Sequence, residues 1–282
     1  MTLALAAALI AATLPPAPAP LKLDDAQLDV QVQKAHELPF PQRIDALSKL
    51  FLGVPYGEGP LGDGSGVEPG PRWNTSAVDC QTYVETVLAL ANARNVGEAH
   101  NILDDIRYSG EPSFGNRNHF TEAQWLPANL KKGYLTEETS RIDAKAPTET
   151  LSLQKSEWSK VPALKRLVPA NIPDGDYSVR YLPLAEARAK MKSFEAGSVV
   201  MVVREADPSR VVRISHMGFV VPAAGGGLAV RHASTGSEHK VINEPLADFI
   251  ERQTTYKKWP VAGLALAKPV DASKRVATLG KN

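Results

Sequence analysis

Val78-Asp79-Cys80-Gln81-Thr82-Tyr83-Val84-Glu85 decides how this chain is read, because it holds the one cysteine of 282 residues where a turn runs into a helix. A lone thiol has no intramolecular disulfide partner, so its use lies in packing or in reactivity. Asp79 fits the N-cap position, and Val84, Val87, Leu88 and Ala91 recur at helical spacing, which predicts a helix with one buried face. A cysteine at a helix start meets the positive end of the macrodipole, which favours thiolate over thiol. That prepares a nucleophile and leaves the question of its base.

Further along, the patterning turns from helical to extended. Strands are predicted over Val199–Val203, Val211–Val221, Leu228–Ala233 and Val261–Ala267, with a glycine turn over Ala223–Gly227. His216 lies in Ile214-Ser215-His216-Met217-Gly218-Phe219, and His232 in Val230-Arg231-His232-Ala233-Ser234. A hairpin centred on Ala224 sets the two histidines directly opposite each other, with Cβ atoms about 4.5–5.5 Å apart. A one-residue slip would put them on opposite faces. One imidazole can then take the thiol proton and return it to a leaving amine, while the other fixes its orientation and tautomer. The bland alternative stands beside this: cysteine is often a small core residue, and a strand histidine is often structural.

Helical spacing also recurs over Asp24–His36, Pro41–Leu52, Val96–Tyr108 and Leu184–Phe194. Gly53-Val54-Pro55-Tyr56-Gly57 opens a Gly/Pro-rich loop that reaches Pro71, suited to close approach of a ligand. After the polar loop Gly115–Phe120, Thr121-Glu122-Ala123-Gln124 has the spacing of a capping box. Residues 134–160 are polar and poorly patterned, which suggests a surface insertion or lid. Helices first and an antiparallel sheet second make an α+β domain.

Composition narrows the partners. Lys plus Arg number 32 and Asp plus Glu 31, which suggests neither a nucleic-acid groove nor a polybasic membrane anchor. Leu3–Leu14 is apolar and is followed by a Pro/Ala run. It is shorter than the ~20 residues that span a bilayer, so no stable membrane insertion is expected. We read residues 1–20 as a secretory signal, with a disordered leader as the alternative because no Lys or Arg precedes Lys22. Residues 21–282 then form a single exported domain, with the periplasm as the expected compartment.

At these residues the chain resembles the AmiA-like N-acetylmuramoyl-L-alanine amidases, relatives of the NlpC-type cell-wall cysteine peptidases. Phe51–Gly57, Asp79–Glu85, Gly115–Phe120, Ile214–Phe219 and Arg231–Ser234 carry the resemblance in the family's order. It implies a papain-like fold in which the nucleophile's helix packs on an antiparallel sheet bearing the histidines. It implies Cys80 as nucleophile, His216 as general base and His232 as orienting member; no HExxH-like pair or other short ligand spacing occurs, so neither metal nor cofactor is expected. Tyr56 resembles the tyrosine that helps hold the oxyanion, although a core aromatic under a glycine loop reads equally well. Asn118 and His119 are candidates for the substrate cleft, with a turn former and a solvated histidine as the equal alternative, and Trp125 for a cleft wall or, better, the core. His36, His100 and His239 read as surface residues. Gln81-Thr82 departs from the Ser-Gly of the NlpC peptidases and favours the amidase branch. The implied substrate is peptidoglycan or a muropeptide, cut between muramic acid and L-alanine. A stem-peptide endopeptidase, a zinc amidase and a non-catalytic muropeptide-binding module are the rivals.

Overall fold

The computed structural model describes residue 21 and residues 23–64, 67–158 and 172–279; the leader expected over residues 1–20 lies outside them. Its helices are α1 (Asp25–His36), α2 (Phe40–Lys49), α3 (Cys80–Asn92), α4 (Val96–Arg107), α5 (Leu126–Lys132), α6 (Thr139–Ile142), α7 (Lys155–Trp158), α8 (Leu184–Ala189), α9 (Leu246–Gln253) and α10 (Ser273–Val276). Its strands are β1 (Leu135–Glu137), β2 (Thr148–Leu153), β3 (Gly175–Arg180), β4 (Leu182–Pro183), β5 (Val199–Arg204), β6 (Ile214–Pro222), β7 (Leu228–Ala233), β8 (Val241–Pro245) and β9 (Val261–Pro269). The main sheet runs β1-β9-β5-β6-β7-β8 with antiparallel neighbours, and β4 also pairs with β9. β2 and β3 form a separate antiparallel pair. This is the expected α+β arrangement of helices against an antiparallel sheet.

The alternation of side chains along each strand sorts the core into two layers. Val199, Met201 and Val203 of β5, with Met217 and Phe219 of β6, face the layer built by α1 to α4. Val200, Val202, Val220 and Val230 face the other way, toward Leu246, Phe249 and Ile250 of α9. β5 is therefore apolar on both faces, which explains its unbroken Val-Val-Met-Val-Val run. α3 is buried from Thr82 to Asn92. Tyr83 ties it to the end of α2 and to β6 within the first layer, standing edge-on to Phe51 at 5.8 Å and to Phe219 at 5.7 Å. Among the described residues, no helix is long and apolar enough to cross a membrane.

Several local expectations change. The β6–β7 hairpin pairs Phe219 with Arg231 and Val220 with Val230, so its centre is Gly225 and not Ala224. Its turn needs positive φ at Gly226 and Gly227, and these set the register. β6 starts only at Ile214; the Arg213 amide donates to the Glu122 carboxylate, while its carbonyl still accepts from Arg204 of β5. The capping box at Thr121 does not form: residues Thr121–Trp125 wind as a π-helix, and the Thr121 hydroxyl donates to Gln81. The helix expected over Leu184–Phe194 stops at Ala189 and ends in a 3-10 turn, Met191–Ser193. The polar stretch from residue 134 is ordered through α7. Its β1 extends the main sheet, and β2 pairs with β3.

α3 is also held from the side by charge. The Arg107 guanidinium donates to Glu85 at 2.7 Å and to the Arg72 carbonyl at 2.6 Å, with Arg107 and Glu85 both buried. Removing one partner of such a pair strands the other charge in the core. Glu85→Ala should therefore lower stability by about 3–5 kcal/mol in urea denaturation. Joint replacement of Glu85 and Arg107 by apolar residues should cost less.

Candidate active site

Cys80 is the first residue of α3. Asp79 caps the helix, accepting the Thr82 amide at 2.7 Å and the Thr82 hydroxyl at 2.9 Å, while the Asp79 amide donates back to that hydroxyl at 2.9 Å. The cysteine is partly exposed, and the backbone N–H of Met217 lies close enough to its sulfur to favour the thiolate. That amide is available for a topological reason. Val220 bonds to Ser198 on the β5 side, so alternation directs the Met217 N–H toward β7. The β6–β7 ladder ends at Phe219–Arg231, before it reaches Met217. The start of α3 fills the opening.

His216 is the next residue along β6. A bulge at Ser215 shifts the β5–β6 register between Val202 and Val203, and the Ser215 hydroxyl accepts from Arg204 at 2.8 Å. Bulges re-aim neighbouring side chains, and this one abuts the histidine. His232 stands across from Gly218, not His216. A Cβ at Gly218 would lie 2.7 Å from that of His232, so glycine is what lets the two strands pass here. Moving the hairpin centre by one residue moves each partner by two, which keeps both histidines on one face as diagonal neighbours. Their rings meet at 88° with His216 Nε2 and His232 Nδ1 2.8 Å apart. Phe249 of α9 lies against both, 6.4 Å from His216 and 5.5 Å from His232.

Two residues that sequence reading passed over complete the row. Glu244 at the end of β8 approaches His232 Nε2 with Oε2 at 3.1 Å. Arg252 of α9 donates to Glu244 Oε1 through Nε at 2.8 Å and to Oε2 through Nη2 at 2.7 Å. The signal was present: after Pro245, residues Leu246, Phe249, Ile250 and Gln253 have helical spacing.

The electrostatics differ from the expected thiolate. Burial, followed by the adjacent Asp79 carboxylate, pushes the Cys80 thiol up to about 12, outweighing amide hydrogen bonds from Met217, Gln81 and Cys80 itself. Burial and the neighbouring His232 hold His216 well below the ordinary histidine value. Burial also lowers His232, against the pull of Glu244. Burial opposes ionisation of Glu244, but Arg252 and His232 outweigh it and bring the carboxyl down to about 2. These shifts favour a thiol, two neutral imidazoles and a carboxylate in the resting site. No Cys80–His216 hydrogen bond is present among the described residues.

Tyr56 lies close by. Burial and then the charge of a Cys80 thiolate raise its phenol to about 12, so it stays protonated and can donate. Its ring stands edge-on to His239 at 5.6 Å, and His239, exposed as expected, takes a positive φ of 47°. His36 is likewise exposed, whereas His100 is half-buried against Trp73 with ring centroids 4.4 Å apart. A pocket of about 170 Å³ opens beside the start of α3, lined by Glu68, Asp79, Gln81, Arg117, Asn118 and His119. Asn118 is buried there, its Oδ1 accepting from Ser109 at 2.7 Å and its Nδ2 donating to the Ile106 carbonyl at 3.5 Å. His119 Nε2 meets the Phe114 carbonyl at 2.5 Å, and Arg117 donates to Nδ1 at 3.4 Å. Burial and then the Arg117 charge bring His119 down to about 4. Trp125 is fully buried in the core. Among the described residues, no group of three or more His, Cys, Asp or Glu side chains is placed to hold a metal ion.

The family described as AmiA-like, N-acetylmuramoyl-L-alanine amidase-like, matches residues 46–256. A structure from Legionella pneumophila is similar to this one with a TM-score of 0.75 and 24% identity, covering 87% of this chain and 94% of that one. An N-acetylmuramoyl-L-alanine amidase from Bacteroides uniformis aligns with a TM-score of 0.63 and 23% identity over 86% of this chain and 99% of its own. A putative xylanase from Bacteroides fragilis has the same TM-score, 0.63, at 23% identity over 79% and 99%. These likenesses show the shared fold. No curated protein matches the chain.

The protonated thiol has a direct chemical signature. Alkylation of Cys80 by iodoacetamide should be slow at pH 7 and keep rising past the ordinary thiol pKa of about 8.5. Asp79→Asn removes the nearby charge, so it should speed alkylation at pH 8 with little loss of stability, since Asn caps about as well as Asp. A rate that levels off below pH 7 would contradict the protonated thiol.

Proposed function

Because the chain belongs to the AmiA-like, N-acetylmuramoyl-L-alanine amidase-like family, we propose that it is an exported cysteine hydrolase of papain-like type. Its substrate is peptidoglycan or a muropeptide, cut between muramic acid and L-alanine. The observation that carries this reading is the placement of Cys80 at the start of α3, its sulfur on the amide next to His216, with His216 paired to His232 at 2.8 Å.

The mechanism follows from the neutral resting state. Nε2 of His216 is engaged by His232, which leaves Nδ1 to act as general base on the thiol. Proton transfer accompanies attack of the sulfur on the lactyl carbonyl, so no standing ion pair is required. Amide N–H groups at the start of α3 and the Tyr56 phenol stabilise the oxyanion. His216 then protonates the nitrogen of alanine, the peptide departs, and water hydrolyses the muramoyl thioester with His216 again as base. Asn118 and His119, whose polar atoms are engaged within the protein, serve as a shaped wall of the cleft.

The test is a mass-spectrometric digest of purified muropeptides. Wild type should release the intact stem peptide from muramic acid. Cys80→Ala and His216→Ala should each abolish turnover while keeping the thermal melt, and His232→Ala should retain more activity because the base remains. Cleavage inside the peptide would make the protein an endopeptidase. Muropeptide binding without product from wild type would make it a binding module.

A further inference from the structure

We infer that Glu244, gripped by Arg252, dictates the tautomers of both histidines and thereby leaves the basic lone pair of His216 on Nδ1. The inference rests on the reading of His216 as the base. β6, β7 and β8 each contribute one member to a single face. His232 stands across from Gly218, two positions along β6 from His216, and Glu244 stands opposite Val230, two positions from His232. The same diagonal step therefore occurs twice, bringing His216 to His232 at 2.8 Å and His232 to Glu244 at 3.1 Å.

The direction of these bonds follows from donor counting. An ionised carboxylate only accepts, and the two Arg252 bonds at 2.8 and 2.7 Å favour that ionised form. His232 Nε2 must then carry the proton that it donates to Oε2. A neutral His232 consequently has a bare Nδ1, which can only accept. His216 Nε2 must be the donor across the 2.8 Å contact, so Nδ1 is the bare nitrogen of the catalytic ring. Phe249, against both rings, hinders the flips that would scramble this order. His232 alone would not suffice, because a free imidazole could present either nitrogen as donor. Glu244 is thus a positioning residue that acts through His232.

The experiment is two-bond ¹⁵N–¹H NMR on the histidine-labelled full chain, paired with muropeptide kinetics, for wild type and Glu244→Gln. In the wild type, both His216 and His232 should carry their protons on Nε2. Glu244→Gln should populate the Nδ1–H form of His216 and lower kcat at least about tenfold, with KM within about twofold. In a His232→Gln background, the further Glu244→Gln change should alter kcat less than about twofold, because its route to His216 is gone. A wild-type His216 protonated on Nδ1 would overturn the inference, and so would a Glu244→Gln variant with unchanged tautomers. Equal losses in both backgrounds would reduce Glu244 to a structural role. The wild-type spectrum decides the tautomers even if the variant fails to fold. Expected tautomers in a protein that cleaves no muropeptide would support the relay and remove only the proposed reaction.

Discussion

The site depends on the separation of β6 from β7 beyond the Phe219–Arg231 pair. Had the ladder continued, the Met217 amide would have been spent on β7, and no opening would have received the start of α3. Because it stops, that amide meets the Cys80 sulfur, while Gly218 lets His232 pass close enough to bond His216 diagonally. One interruption in a hydrogen-bonded sheet therefore sets the start of α3 beside Met217, the residue that follows His216. The buried Arg107–Glu85 pair and the Tyr83 contacts keep α3 in register with that gap.

Charge in the site is set by burial more than by the helix. A macrodipole contributes about 0.3–1 kcal/mol to a nearby anion, less than the ~1.36 kcal/mol that one pKa unit represents. Asp79 already occupies the positive end as a cap, and its own carboxylate opposes a second negative charge one residue away. The balance falls to the thiol. His216 is kept neutral by its buried surroundings as well, so both groups rest uncharged. Glu244 is the row's fixed charge, and Arg252 anchors it.

Much of this was legible in the residues. The cap at Asp79, the helix over α3, the β5 to β7 strands and the shared face of the two histidines all follow from short-range pattern. The hairpin centre was misplaced because the run Ala223–Gly227 permits more than one turn, and only the positive φ angles at Gly226 and Gly227 choose between them. The shared face survived because the error moved partners by two. Glu244 and Arg252 escaped notice because a carboxylate and a guanidinium in a polar stretch look solvated until folding sets β8 beside β7. Likewise the thiol's protonation reflects three-dimensional density, which helical periodicity does not report. The capping-box spacing at Thr121 failed because tertiary contacts, Thr121 with Gln81 and Glu122 with Arg213, claimed the same groups.

The central claim, that Cys80 attacks the lactyl carbonyl, is tested most directly by trapping the covalent intermediate. Wild-type protein mixed with muropeptide, quenched in acid within the first turnover and weighed intact should gain the mass of the muramoyl group alone, mapped by fragmentation to Cys80. An adduct that includes alanine or further stem-peptide residues, or one located on any other side chain, would contradict the account.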